Sequence, residues 1–374
     1  MMMPTPKRIL VVHPNWVGDV LFTFPFLAAL RESYPEAEIT CWVVPRCVEL
    51  LQGQLFIDDL LVYDQRGNRG IFSKWKFVTQ LRQKRFDTAF LLHRSMTRLL
   101  LCVLAGIPKR IGYAHWKQRW LLTDPLWPNR SRHWGQVLIF DKLVKYQDLT
   151  PKPAPAHQEW LQHGKHKVEY FLDLARFAGI KIHRPWYQFH LVEEKRKWAQ
   201  EELEAMGLKD RLFVVVQPGA NWELKRWPTE NFSKLLDYFS NEQIPVIVTG
   251  SKTDESLITQ VVRRDRRGVW SFYGKNGLEE LAALFKQAAL VVTNDTGPMH
   301  LASAVGTPVV TLFGPTQPHL TGPYGKGPVR ILRKEVGCNE DPCYNLGCKE
   351  NVCMRAISVE EVWRACCELL QKPA

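Results

Sequence analysis

Twice along this 374-residue chain a short β-branched run gives way to a polar turn, a stretch with helical spacing, and then another β-branched run. In the first half Arg8 to His13 (RILVVH) leads through Pro14 and Gly18 into Val20 to Tyr34, where Phe22, Phe26, Leu27 and Leu30 share a helical face. Strands are then expected at Glu38 to Val44 and at Asp87 to Leu92, the second after a basic helix over Lys74 to Arg85. The pattern restarts at Leu212 to Gln217 as strand, Pro218 to Trp227 as loop, Pro228 to Phe239 as helix, with Pro228 in its first turn, and Ile244 to Thr249 as strand. Helix Leu278 to Ala288, strand Leu290 to Thr293, helix Met299 to Val305 and strand Pro308 to Phe313 continue it. Parallel strands need crossovers, and helices supply them, so this alternation predicts an α/β chain with two parallel sheets. The division is expected near residue 190, giving domains 1–190 and 191–374. The Pro-rich stretch Thr150 to Ala156 is read as a loop inside the first, before a helix at Lys167 to Phe177. Ligands of such sheets bind beyond the carboxyl ends of the strands, and two facing sheets would line one cleft with those loops.

Length and composition agree with two ordinary domains. A chain of 374 residues exceeds the size at which single cores stop growing, and 45% hydrophobic with 24% charged residues leaves no long disordered tract. Lys and Arg outnumber Asp and Glu by 50 to 38, so partners bearing phosphate or carboxylate are favoured. The apolar run after Lys7 and Arg8 lacks a small-residue cleavage site and reads as a strand, so no export signal is expected. No apolar stretch reaches the roughly 18 to 20 residues of a spanning helix, which limits any membrane contact to the periphery. Nine cysteines without an export signal point to a reducing compartment.

Three constellations carry chemistry. Asn15-Trp16-Val17-Gly18-Asp19 places a carboxylate at the first helix start, where an Asp serves either as a cap or as a general base. By spacing alone, capping outranks catalysis. Gln217 to Pro228 (QPGANWELKRWP) is a strand-to-helix loop whose Lys225 and Arg226 are suited to a leaving diphosphate, or are an ordinary exposed pair. The third, Val291 to Ala302 (VVTNDTGPMHLA), ends a buried strand in a polar turn and opens a small-residue helix at Thr296 and Gly297, whose free N–H groups can cradle phosphate oxygens. Asp295 fits ribose hydroxyls or capping better than phosphate. His300 is placed to donate to phosphate or to serve structure.

Together, N-W-V-G-D (Asn15 to Asp19), P-G-A-N-W-E-L-K-R-W-P (Pro218 to Pro228) and N-D-T-G-P-M-H (Asn294 to His300) resemble the heptosyltransferases of glycosyltransferase family nine, over Lys7 to Val362. The resemblance implies a GT-B fold of two Rossmann-like domains facing a central cleft, and inverting transfer of heptose from ADP-heptose to the lipopolysaccharide inner core, the second-heptose type being most similar. It implies Asp19 as base, which reverses the order of readings given by spacing. Lys225 is implied on the diphosphate, with Asp295, Thr296, Gly297 and His300 around the nucleotide and Gly18, Asn221 and Glu255 completing the donor set. The partners implied are the nucleotide sugar and an anionic lipid-linked oligosaccharide, with the enzyme cytoplasmic and peripheral at the inner membrane face. A family member with another nucleotide sugar or acceptor is the alternative.

No two Asp are separated by one residue, so the metal-bridging Asp-x-Asp signature of the other large glycosyltransferase fold is missing and no cofactor is expected to be required. Gly-rich fingerprints of kinases and dehydrogenases are missing too. Arg94, Arg98 and Arg110 lie near the end of the Asp87 to Leu92 strand or beyond it, and are expected to meet acceptor carboxylates or phosphates. Cys338, Cys343, Cys348 and Cys353 recur every five residues; four thiolates suffice for a structural zinc, but the spacing is at the permissive end, and metal, redox pairing and reduced thiols stay open. Nucleic-acid binding, the reading from another class, predicts basic residues beside these cysteines. Val336 to Cys353 holds only Lys349, against Glu340, Asp341 and Glu350, so nucleic acid is not an expected partner.

Overall fold

The computed structural model describes residues 5–63, 70–114, 116–127, 165–262, 266–274, 277–338, 343, 345 and 347–373. The chain divides into two compact units, Met1–Pro185 and Trp186–Ala374. The stretch 150–156, read above as a loop, lies outside the described residues.

In the first unit, β1 (Arg8–Val12), β2 (Glu38–Val43), β3 (Asp59–Val62), β4 (Thr88–Leu91), β5 (Lys109–Tyr113) and β6 (Asp124–Leu126) form one sheet in the order β3-β2-β1-β4-β5-β6. Every pairing is parallel. Ile9 to Val12 and all of β4 are buried, because helices cover both faces of a parallel sheet and leave no polar side. Those helices are α1 (Val17–Leu21), α2 (Phe24–Ser33), α3 (Val48–Leu51), α4 (Ile71–Lys84), α5 (Met96–Leu104) and α6 (Lys167–Phe177). The single helix expected over Val20 to Tyr34 is instead two. Pro25, at the start of α2, has no N–H to give the preceding turn, and Thr23 Oγ1 donates to the Val20 carbonyl at 2.6 Å. The break lets α1 begin at Val17 and puts Gly18 and Asp19 in its first turn.

The second unit repeats the plan with β7 (Val214–Gln217), β8 (Val246–Gly250), β9 (Val269–Tyr273), β10 (Leu290–Asn294), β11 (Val309–Phe313) and β12 (Val329–Arg333), ordered β12-β11-β10-β7-β8-β9 and all parallel. Read from the opposite edge, this is the strand order of the first sheet. Its helices are α7 (Glu193–Ala205), α8 (Thr229–Asn241), α9 (Glu255–Val262), α10 (Leu278–Gln287), α11 (Gly297–Ala304), α12 (Pro318–Thr321), α13 (Val352–Arg355) and α14 (Val359–Leu370). Pro228 caps α8 from outside its first turn. On one face Trp227, Phe232 and Phe239 of the loop and α8 pack with Trp363 of α14, whose ring meets Phe239 edge-on at 5.2 Å. A reciprocal Ser358–Glu361 box starts α14. No described helix is long and apolar enough to cross a membrane.

Candidate active site

Each sheet changes direction of winding once, between β1 and β4 in the first and between β7 and β10 in the second. At such switch points adjacent loops diverge beyond the strand ends and leave a crevice. The three constellations of the sequence stand at these two points.

At the first switch point, loop 13–16 after β1 is held by the β4–α5 turn. Arg98 of α5, 1% exposed, donates to the His13 carbonyl and, at 2.5 Å, to Asn15 Oδ1, with its guanidinium 5.3 Å from the Trp42 ring. Asn15 Nδ2 lies 3.4 Å from His93 Nε2, and the Cys47 thiol donates to the Asn15 carbonyl at 3.5 Å. Burial pushes that thiol up to about 12, so Cys47 is a donor and not a nucleophile. His13 is fully buried; burial first, then the Arg98 charge, holds its imidazole down at about 3, so the ring is neutral. Thr23 Oγ1 gives its proton to Val20, and so accepts from His13 Nδ1–H at 3.2 Å. On this framework Asp19 Oδ1 meets Lys167 Nζ at 2.5 Å, each side chain 17% exposed. Lys167 is the first residue of α6, where the helix dipole opposes a cation, and the Asp19 carboxylate offsets that cost.

Beside this loop, Arg94 lies 5.6 Å from the Tyr113 ring centroid and 5.8 Å from that of Tyr170, which stack on each other at 3.9 Å. Its Nε donates to Tyr170 Oη at 3.1 Å, while its buried Nη2 has no partner among the described residues. The three arginines expected at the acceptor thus differ. Arg94 keeps a donor in reserve at the edge of a small cavity with His93, Ser95 and Gln118. Arg98 is buried and holds loop 13–16, and Arg110 donates to the carbonyls of Leu121 at 2.7 Å and Ile107 at 2.5 Å. Arg98 is thus engaged with the His13 carbonyl and the Asn15 side chain, and Arg110 with backbone carbonyls.

At the second switch point, Lys225 Nζ from the loop after β7 contacts Asp295 Oδ2 from the loop after β10 at 2.6 Å. Asp295 is 4% exposed and also accepts from Thr316 Oγ1, beyond β11, at 2.5 Å. Asn294 ties the two loops beneath: its Nδ2 donates to the Pro218 carbonyl at 2.8 Å and its Oδ1 accepts from Trp227 N–H at 3.1 Å. Gly219 crosses so close to Asp254 of the β8 turn that a Cβ there would stand 2.8 Å from the carboxyl carbon. Thr296 precedes α11 with its Oγ1 buried and without a partner among the described residues, and Gly297 opens the helix. Lys225, Thr296 Oγ1 and the α11 N–H groups make a set of donors suited to phosphate oxygens. His300, 4% exposed, sits one turn in with Nδ1 3.4 Å from Tyr187 Oη. Asn221 and Glu255 are exposed, and Glu255 accepts from Tyr273 Oη at 3.2 Å.

Residues 156–351, more than half of the chain, match glycosyltransferase family 9 (heptosyltransferase). The chain belongs to that family. This glycosyltransferase is 26% identical over 343 residues to the lipopolysaccharide heptosyltransferase 2 of Escherichia coli K12, covering 88% of this chain and 89% of that protein. It is 27% identical over 308 residues to lipopolysaccharide heptosyltransferase 3 of the same organism, covering 80% of each. Its fold is that of the glycosyl transferase family 9 protein of Veillonella parvula, with a TM-score of 0.81, 25% identity, and 98% and 97% of the two chains covered. The fold of the glycosyltransferase is therefore GT-B, two Rossmann-like α/β units.

Sequence reasoning missed Lys167, Thr316 and Asp254 as parts of these sites. Lys167 is 148 positions from its partner Asp19, and only its place at a helix start, against the dipole, marks it in the sequence. The four late cysteines are free thiols, and no three His, Cys, Asp or Glu among the described residues form a group able to hold a metal ion. The structural zinc considered at Cys338, Cys343, Cys348 and Cys353 therefore has no support, and these residues take no part in the reading below.

Proposed function

We propose that this glycosyltransferase moves heptose from ADP-heptose to a hydroxyl of the lipopolysaccharide inner core, with inversion and without a metal ion. The Asp19 carboxylate takes the acceptor hydroxyl proton as that oxygen bonds to the anomeric carbon. The bond from this carbon to the diphosphate oxygen breaks, and ADP leaves with the electron pair. Lys225 and the start of α11, with Thr296 and Gly297, meet the charge that grows on the diphosphate, while Asp295 and His300 flank the nucleotide. Gly18, Asn221 and Glu255 stay in the donor set on the resemblance alone, and Arg94 is the arginine retained for the acceptor. The observation that carries this reading is the Lys225–Asp295–Thr316 contact beside a Thr296 hydroxyl without a partner among the described residues, at the switch point of a family 9 chain. The donor sugar rests on the motif resemblance, and relatives named lipopolysaccharide heptosyltransferase support the acceptor class. The acceptor being lipid-borne, the enzyme works at the cytoplasmic membrane face without spanning it.

The test is incubation with ADP-, GDP- and UDP-linked sugars against truncated core acceptors, followed by product mass and anomeric configuration. One heptose gained, from ADP-heptose alone and with inversion, is the expected result. Transfer of a different sugar, or onto a non-core acceptor only, would replace the donor or acceptor assignment.

A further inference from the structure

Between Gly70 and Thr123 stand eleven Lys and Arg against a single acid, Asp87, so this stretch holds ten of the chain's net +12 charges. Asp87 is already engaged, accepting from the backbone N–H groups of Lys7 and Arg8 at 2.7 and 2.9 Å. The same stretch carries large apolar side chains that the fold leaves in solvent. Phe72 is 86% exposed and Trp120 78%, with Ile71, Trp75, Leu104 and Trp116 exposed as well. Trp75 sits one turn after Ile71 and Phe72 on the outer side of α4, whose inner side buries Phe77, Val78 and Leu81. Arg82 joins this side to α5: its guanidinium carbon is 5.9 Å from the Trp75 ring centroid, and its Nε and Nη2 donate to the carbonyl of Leu104, the last residue of α5. Segment 116–122 adjoins the other end of α5, since Gln118 and Leu122 line one cavity with Ser95 and Leu99. In that segment Lys117 lies over Trp116 at 5.1 Å and Arg119 over Trp120 at 4.5 Å.

We infer that the outer side of α4, the end of α5 and segment 116–120 dock this enzyme on an anionic lipid bilayer. Exposed aromatic and aliphatic side chains among exposed cations match an interface of apolar acyl chains beneath acidic headgroups. Single-stranded nucleic acid also takes cations and aromatic rings, but Ile71 and Leu104 offer no face for a base to stack on. Lys84 is excluded from the surface, being paired with Asp59 and Glu38. The inference deepens the reading of a lipid-borne acceptor, and its test uses vesicles that contain no acceptor, so each can fail without the other.

The experiment is sedimentation of the full chain with phosphatidylcholine vesicles with and without phosphatidylglycerol, alongside a nucleic-acid retention assay. Transfer to a water-soluble, deacylated acceptor is measured in parallel. Each cation near such a surface changes affinity by about fivefold, so Lys74→Glu with Lys76→Glu lowers binding to the anionic vesicles by at least about 25-fold. Phe72→Ser with Trp75→Ser also lowers it, including at high salt, whereas Lys209→Glu, an exposed control in the other unit, leaves it unchanged. All three keep thermal stability and transfer to the soluble acceptor. Equal binding of wild type and the two double variants to anionic vesicles overturns the inference. So does nucleic-acid retention in place of vesicle binding, or loss of soluble-acceptor transfer in step with vesicle binding.

Discussion

Asp19 is held through one carboxylate oxygen by Lys167. An Asp19→Asn variant keeps nearly the same shape and the packing of α1 but cannot accept the acceptor proton, so turnover is expected to fall by about 10² to 10⁴ with donor binding intact. Unchanged turnover with donor binding intact would remove Asp19 from the chemistry. Lys225 and its neighbour Arg226 are separated by what they already touch. Arg226 Nε donates to the Ala220 carbonyl at 2.8 Å, which fixes the loop, whereas Lys225 meets the Asp295 carboxylate, which the proposed donor diphosphate would replace. Lys225→Ala is therefore expected to depress kcat as well as donor affinity, and Lys225→Arg to rescue affinity better than kcat, as steady-state kinetics will read. His13 offers a pH probe of the fold. Its ring is held at about 3 against an ordinary 6.5, so below pH 6.5 the unfolded chain binds a proton that the folded chain refuses. The stability this neutral ring contributes is complete above pH 6.5 and declines by up to about 1.4 kcal/mol per pH unit as pH falls toward 3. Chemical denaturation across that window should show a shallower slope for His13→Gln.

At the scale of elements, loop 13–16 depends on a helix that follows a different strand. Arg98→Met fills much of the same volume but leaves the His13 carbonyl and Asn15 Oδ1 without their donor, so a loss of about 2 to 4 kcal/mol is expected by thermal or chemical melting. An unaltered melting temperature would contradict that role. The strands around β1, β2, β4, β7, β8, β10 and β11 are legible in sequence because their β-branched runs are buried on both faces, and α6 is legible from its apolar spacing. Edge strands are not: β12 (VRILR) is nowhere fully buried and carries two arginines, and β6 (DPL) contains a proline, so neither gives a continuous apolar run. The α1–α2 break was missed because Pro25 falls at a position where a helix tolerates it as a beginning. Candidate site residues were legible where they cluster in a short motif, as Asp295 and Thr296 do. Lys167, Thr316 and Asp254 were not, because strand order and not spacing brings them to Asp19, Asp295 and Gly219.

At the scale of the whole molecule, the two switch points divide the chemistry between the units. The first holds the carboxylate proposed as base and an arginine with a donor in reserve, and the second holds the lysine and helix start proposed for the diphosphate. With fixed cations and N–H groups for the diphosphate, transfer is expected to proceed unchanged in the presence of a chelator. Loss of transfer restored by magnesium would require a metal in the donor site. The Lys225–Asp295 contact bears also on life in a cell crowded with free phosphate. A lone orthophosphate that reaches Lys225 must compete with a buried carboxylate steadied by Thr316. On the proposed reading a nucleoside diphosphate brings a second phosphate and a ribose to meet that demand, so the same ion pair would favour the donor over the commonest small anion before any sugar is examined.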